Sequence, residues 1–162
     1  MKVYLAHPIS TTGEFGDSLR VADEIRSLGY KVYAAALNDS INDKTNDPTP
    51  KDIYVADIKE LLSSHIVVVN LTGGLQDGTI TEVGVVAGWN EATFEYDPYH
   101  YERIEIVAYT SNARLLQPQF HKGIPSAGAN HLTLGAVEKW GKFVGTEEAM
   151  LEELRVRAKA RQ

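Results

Sequence analysis

Residues 57–88, DIKELLSSHIVVVNLTGGLQDGTITEVGVVAG, constrain this chain more than any other stretch. Positions 66–69 (IVVV) are apolar without alternation. A half-exposed strand alternates, so this one reads as covered on both faces, as strands of a parallel sheet are. A Gly-rich loop at 72–78 follows with one acid, Asp77, and Thr79-Ile80-Thr81-Glu82 then opens a helix with Glu82 in its first turn. In parallel α/β sheets ligands bind at the carboxyl ends of strands, which puts Asp77 and Glu82 beside the pocket.

The rest of the chain supplies the layers that such a strand needs. Residues 2–7 are a short β-type run ended by Pro8, and 10–16 are a polar connection. Phe15, Leu19, Ala22, Ile25 and Leu28 recur at helical spacing, and Gly29 stands where a left-handed cap ends a helix. A second strand is expected at 30–37. Residues 38–49, dense in Asn, Asp and Pro, read as a loop over the site. Thr49 as N-cap, Pro50 at the first helical position and Asp52 at the dipole's positive end start a helix that runs to about Ser63. Tyr54, Ile58, Leu61 and Leu62 form its expected buried stripe, with Asp57 on the adjoining face.

After Glu82, Val83, Val86 and Ala87 are apolar, and Gly84 and Gly88 give a bare face for close approach to the sheet. Residues 96–101 are an aromatic-rich connection to a strand at 103–109. Residues 111–130 hold Pro118, Gly123, Pro125 and Gly128 and read as a long irregular segment. A short strand at 131–134, a helix marked by Val137, Trp140, Phe143 and Val144, and a last helix after Gly145-Thr146 complete the chain. The last helix is acidic at its start and basic at its end, as the dipole favours. The expected fold is α/β: a doubly wound three-layer sandwich with a mainly parallel central sheet of about five strands, flavodoxin- or Rossmann-like.

At 162 residues this is the size of one domain, spanning 1–162. A formal charge of -6, with no basic run before the last ten residues, argues against a nucleic acid polymer as partner. The absence of cysteine rules out disulfides and thiolate chemistry. The opening MKVYLAHP is too short and too soon broken to read as a signal peptide, and no apolar run reaches the ~18 residues of a membrane span. A soluble, cytoplasmic protein with no membrane partner is expected. There is no evident internal repeat. The five histidines show no paired ligand spacing with acids, so no metal and no cofactor is expected.

Each candidate residue carries a plain alternative. Thr79 to Glu82 spells T-x-x-E, a capping box in which Glu82 merely reaches back to a backbone amide. Asp77 in Gln-Asp-Gly is an ordinary turn residue, Asp57 alone a solvated helix acid, and Tyr4 an ordinary core tyrosine. Three acids converging on one cleft favour the functional reading.

The start K-V-Y-L-A-x-P, the acid in ADIKELLSSHIVVVNL and the element D-G-T-I-T-E-V-G together resemble the nucleoside 2-deoxyribosyltransferase family, well over residues 2–88 and loosely beyond. The related nucleoside 5'-monophosphate N-glycosidases share this layout. The resemblance implies that Glu82 attacks the anomeric carbon of a deoxyribose, expels the base and forms a glycosyl ester. An ionised carboxylate at a helix N-terminus suits that role. It also implies that Tyr4 hydrogen-bonds Glu82 and that Asp57 and Asp77 hold and protonate the base. Most relatives place the second acid six residues before the glutamate, where this chain has Gln76, and Asp77 stands five before. Either the loop presents Asp77, or Gln76 contacts the base and Asp77 with Gly78 shapes the turn. His7 and Ser10, after the first strand, are implied substrate contacts. Asn130 is the implied counterpart of an asparagine that relatives borrow from a neighbouring subunit, which makes a homo-oligomer with shared sites. The implied activity is base exchange on 2'-deoxynucleosides, with a nucleoside and a free nucleobase as small-molecule partners. Hydrolysis of nucleoside 5'-monophosphates, or nucleotide binding without turnover, are the alternatives.

Overall fold

The computed structural model describes residues 1–74, 76–97, 102–116, 119–121, 124–126 and 129–160. In chain order they form β1 (Lys2–Ala6), α1 (Thr12–Ser27), β2 (Lys31–Ala34), α2 (Asp39–Asn42), α3 (Pro50–Leu62), β3 (Ile66–Asn70), α4 (Asp77–Tyr96), β4 (Glu105–Tyr109), β5 (Gln119–His121), β6 (Ile124–Ser126), α5 (His131–Trp140), β7 (Gly141–Gly145) and α6 (Glu147–Lys159). The unbroken apolar run of β3 is buried along its whole length, at the centre of a five-stranded, all-parallel sheet ordered β2-β1-β3-β4-β7. Helices cover both faces, so the fold is the α/β three-layer sandwich that the apolar central strands require. A separate antiparallel pair, β5 with β6, stands apart from this sheet.

Side-chain alternation along the strands divides the core in two. Val3, Leu5, Val68, Val107 and Tyr109 pack with Val21 and Ile25 of α1 and Met150 and Leu154 of α6. Tyr4, Ala6, Val67, Val69 and Ile106 pack with Leu61 of α3, Val83 and Val86 of α4 and Val137 and Trp140 of α5. The chain runs from β1 outward to β2, then returns to β3 on the other side of β1. The carboxyl ends of β1 and β3 therefore flank the crevice where the winding reverses, the usual ligand position in such sheets.

Several element boundaries differ from the sequence reading, each for a local reason. α1 begins at Thr12 because Thr11 and Glu14 form a full capping box ahead of the apolar stripe. The strand expected at 30–37 is β2 followed by a single 3-10 turn, and residues 38–49 hold α2 and a second such turn. The expected strand at 131–134 is instead the start of α5, capped by Asn130. Phe143 and Val144, expected on a helix, lie on β7. The break falls at Gly141, where a Cβ would come within 1.7 Å of the Ile106 carbonyl oxygen, so only glycine lets the chain turn into the sheet there. Pro118, Gly123 and Gly128, and the aromatic connection beyond Asp97, lie outside the described residues. No described helix is long and apolar enough to cross a membrane.

Candidate active site

α3 supplies the first acid. Its Thr49 cap and Pro50 start are as the sequence implies, and Asp52 completes a capping box with Thr49. Of the expected stripe, Ile58, Leu61 and Leu62 pack against the core, whereas Tyr54 is 58% exposed. The inward line is Ile53, Asp57 and Leu61, spaced i, i+4, i+8, with Leu61 fully buried. Tyr54 lies about 100° round the helix from Ile53 and so points away. An acid therefore occupies a sheet-facing position between two apolar residues.

α4 supplies the second acid. The helix begins at Asp77, not Thr79, with Gln76 at the N-cap and no side-chain cap. Thr79 is buried, and Glu82 is the sixth helical residue, beyond the free amides of the first turn, so the capping-box alternative fails. Glu82 instead accepts a short hydrogen bond at Oε1 from the Tyr4 hydroxyl. Gly84 and Gly88 are exposed, on the side away from the sheet, with open space around both. The close approach expected of them does not occur, because Val83 and Val86 take the sheet-facing positions.

Tyr4 and Tyr33 are Cα partners in the β1–β2 register, so their side chains emerge on one face. Their rings lie 5.3 Å apart at 31°. The Tyr33 hydroxyl donates to Asp57 Oδ1 at 2.6 Å and accepts from Asn38 Nδ2 at 2.9 Å. The site is thus two tyrosine–carboxylate pairs side by side: Tyr4 with Glu82, and Tyr33 with Asp57. In each pair one carboxylate oxygen accepts a hydrogen bond from the phenol, and the other has no partner among the described residues.

Burial sets the electrostatics of both pairs. The Glu82 residue is partly accessible, yet its carboxyl is deeply enclosed, and burial pushes it up to about 8 against the lowering effect of the Tyr4 bond, with the Asp57 charge adding to the rise. Asp57 is also raised by burial, and the Tyr33 bond holds it back. The Tyr4 phenol is driven well above its ordinary range, by burial first and then by the charges of Glu82 and Asp57. The helix N-terminus expected to favour the Glu82 charge does not reach it, and burial works against that charge. Glu82 sits past the first turn, and desolvation is the larger effect.

The remaining candidates are placed elsewhere. Asp77 is exposed in the first turn of α4, five residues and so about 140° around the axis from Glu82. It lines a cleft of about 330 Å³ with Gln76, Gly73, Gly74 and Asn130. The Gln76 Oε1 accepts from the backbone and hydroxyl of Thr72, bracing its own loop, and Gly78 lies in the first turn of α4. Asn130 caps α5, its Oδ1 accepting from the Leu132 amide at 2.8 Å. Ser10 is exposed in the bend before α1.

His7 is buried at the switch-point crevice with both ring nitrogens engaged. Nδ1 donates to the Pro8 carbonyl at 2.7 Å. The Asn70 amide is oriented by Ser111, whose backbone N–H donates to Asn70 Oδ1 at 3.0 Å, so Asn70 Nδ2 donates to His7 Nε2 at 2.9 Å. That network assigns the neutral Nδ1–H tautomer. The Asp17 carboxylate 3.2 Å from Nε2 is then no ion-pair partner of His7, and Arg20 neutralises it at 2.7 Å. His7 anchors the fold, and its polar atoms are committed to it.

Tyr33 and Asn38 are the site residues that sequence reasoning missed. The signal was present: Lys2-Val3-Tyr4 recurs as Lys31-Val32-Tyr33, and the two tripeptides pair residue for residue.

No protein-family model matches the chain, and no curated protein does. Among solved structures it is similar to a conserved protein from Enterococcus faecalis V583, with a TM-score of 0.72 and 24% identity over 97% of this chain and 98% of that one. At that identity the likeness shows the shared α/β fold.

Proposed function

We infer that the chain is an N-glycosyl transferase that exchanges the base of 2'-deoxynucleosides through a covalent glycosyl-Glu82 ester. The observation that carries this reading is the Tyr4–Glu82 pair set beside the Tyr33–Asp57 pair. Glu82 Oε2, ionised, attacks C1' of the deoxyribose while the bond to the base nitrogen breaks and its electron pair leaves with the base. Asp57 gives that nitrogen a proton. A ring nitrogen of an acceptor base then attacks C1' as its proton passes to Asp57, and the Glu82 carboxylate is expelled, restoring both acids. The transition states carry positive charge on the sugar, and an enclosed carboxylate stabilises such charge more strongly than one in water.

An unphosphorylated substrate fits these surroundings better than a 5'-monophosphate. A phosphate calls for Arg, Lys or free helix amides. Arg20 is locked between Asp17 and Glu147, both at 2.7 Å. At the start of α1 the capping box takes the Thr11 and Glu14 amides. The acids Asp57 and Glu82 repel an anion, whereas a 5'-hydroxyl can donate to any of these acceptors. The proposal includes a cytoplasmic homo-oligomer. Residues 83–90 of α4 carry no charge, Trp89 is 44% exposed there, and Leu132 of neighbouring α5 is 85% exposed. Sedimentation at assay concentration is expected to show more than a monomer.

The test is chromatographic separation of bases after incubation with deoxynucleosides or their 5'-monophosphates, each with and without a free acceptor base. Base exchange that depends on the acceptor is expected from the deoxynucleosides. Faster release from the monophosphates, indifferent to acceptor, would assign the hydrolase instead, and no release from either would leave a binding domain.

A further inference from the structure

The proton of the Tyr33 hydroxyl has one direction available. Asn38 Oδ1 accepts from the backbone N–H of Ser40 at 3.1 Å and from its hydroxyl at 2.6 Å, so the Asn38 amide must present Nδ2 to Tyr33. With its lone pair taken, the phenol donates to Asp57 Oδ1 at 2.6 Å. The chain of donors therefore runs one way, from Asn38 through Tyr33 to Asp57. Its origin is architectural. Asn38 is the N-cap of α2, Tyr33 stands on β2, and Asp57 faces inward from α3, so three successive elements meet at one hydroxyl.

We propose that Tyr33, oriented by Asn38, is a positioning residue that pins Oδ1 of Asp57 and so presents Oδ2 to the leaving base, as Tyr4 pins Glu82 and presents Oε2 to the sugar. This deepens the transferase reading and rests on it. The two tyrosines are not interchangeable with generic core aromatics, because their register partnership places both side chains on one face of the sheet, where one hydroxyl meets an acid of α4 and the other an acid of α3. A bond donated to a carboxylate also favours its charged form. Tyr33 thus moderates the proton affinity of Asp57 in a setting where Glu82 of α4, Tyr4 of β1 and Glu60 of its own helix all bear on the same cluster.

The experiment compares wild type, Tyr33→Phe and Asn38→Ala by carboxyl-carbon NMR titration of Asp57 and by the pH profile of base release. Tyr33→Phe keeps the ring stacked on Tyr4 and removes only the hydroxyl. The Asp57 midpoint is expected to rise by about one pH unit, and kcat to fall about tenfold or more with KM less affected. The alkaline limb of the profile should move up with the Asp57 midpoint. Asn38→Ala should move both readouts the same way by less. An Asp57 midpoint unchanged in Tyr33→Phe would overturn the proposal, and so would a shifted midpoint with unchanged kcat. A wild type that releases no base would sink the transferase reading alone, since the titration still decides whether Tyr33 governs Asp57.

Discussion

Tyr4 and Tyr109 are both fully buried tyrosines of β1 and β4, the two strands that flank β3 in the same sheet, and they meet opposite surroundings. Tyr4 points to the α3/α4 face and donates to Glu82. Tyr109 points to the α1/α6 face, where its hydroxyl finds no hydrogen-bond partner among the described residues, as also happens to Ser18 of α1. Val21, Ile25, Met150 and Leu154 close that face with aliphatic surface. On the other face two carboxylates stand where Leu or Met would be more stable, since an enclosed acid loses hydration that its partners restore only in part. One face is closed by aliphatic packing, and the other gives up stability to enclose two acids.

Glu82→Gln breaks the comparison most severely. It keeps a side chain able to bond Tyr4 but removes the proposed nucleophile, so base release should fall by at least about a thousandfold. The same variant reads the buried charge. The folded-state value of about 8 lies above the ordinary 4.5, so the proton is held more tightly in the folded protein. Glu82 then favours folding fully below about pH 4.5, and this contribution is lost as pH rises to about 8. Urea unfolding of wild type across that window should show a decline on the order of a few kcal/mol, and Glu82→Gln should lack it. In wild type the reactive form pairs ionised Glu82 with protonated Asp57, so turnover should fall on both sides of the window bounded by the midpoints of the two acids.

Tyr4→Phe sharpens the comparison at intermediate size. The Tyr4 bond lowers the proton affinity of Glu82, so its removal should move the limb of the pH–rate profile that Glu82 sets above about 8 and cut turnover about tenfold or more near neutrality. Tyr109→Phe is the matching change on the other face and the smallest expected effect. It deletes a hydroxyl with no partner, so stability should stay within about 1 kcal/mol of wild type or rise, with activity unchanged. If chemical denaturation showed a large loss for Tyr109→Phe, the view of that face as a purely apolar seal would be wrong.

Much of the scaffold was legible because its signals are local. The unbroken IVVV run placed β3 at the centre, and Thr49-Pro50 marked the start of α3. The capping box Thr11–Glu14 was equally local and was overlooked, while the T-x-x-E at Thr79 looked like a cap and is not one. That failure has a plain cause: the helix gains a further half-turn by starting at Asp77, which no pattern of hydrophobic spacing reveals. Glu82, Tyr4 and Asp57 were found and are brought together, whereas Asp77, Gln76 and Asn130 line a separate cleft.

From the sequence alone came the α/β class, the buried central strand and the acids on the two helices that flank it, because periodicity and caps are written within a few residues of one another. Tertiary structure decided which tyrosine meets which acid. The partnership of Lys2-Val3-Tyr4 with Lys31-Val32-Tyr33 depends on strand register, and the inward turn of Asp57 depends on how α3 rolls against the sheet. It also decided that Glu82 holds its proton to about pH 8, because the affinity of a carboxyl for a proton follows from how much water the surrounding elements exclude, and those elements are far apart along the chain.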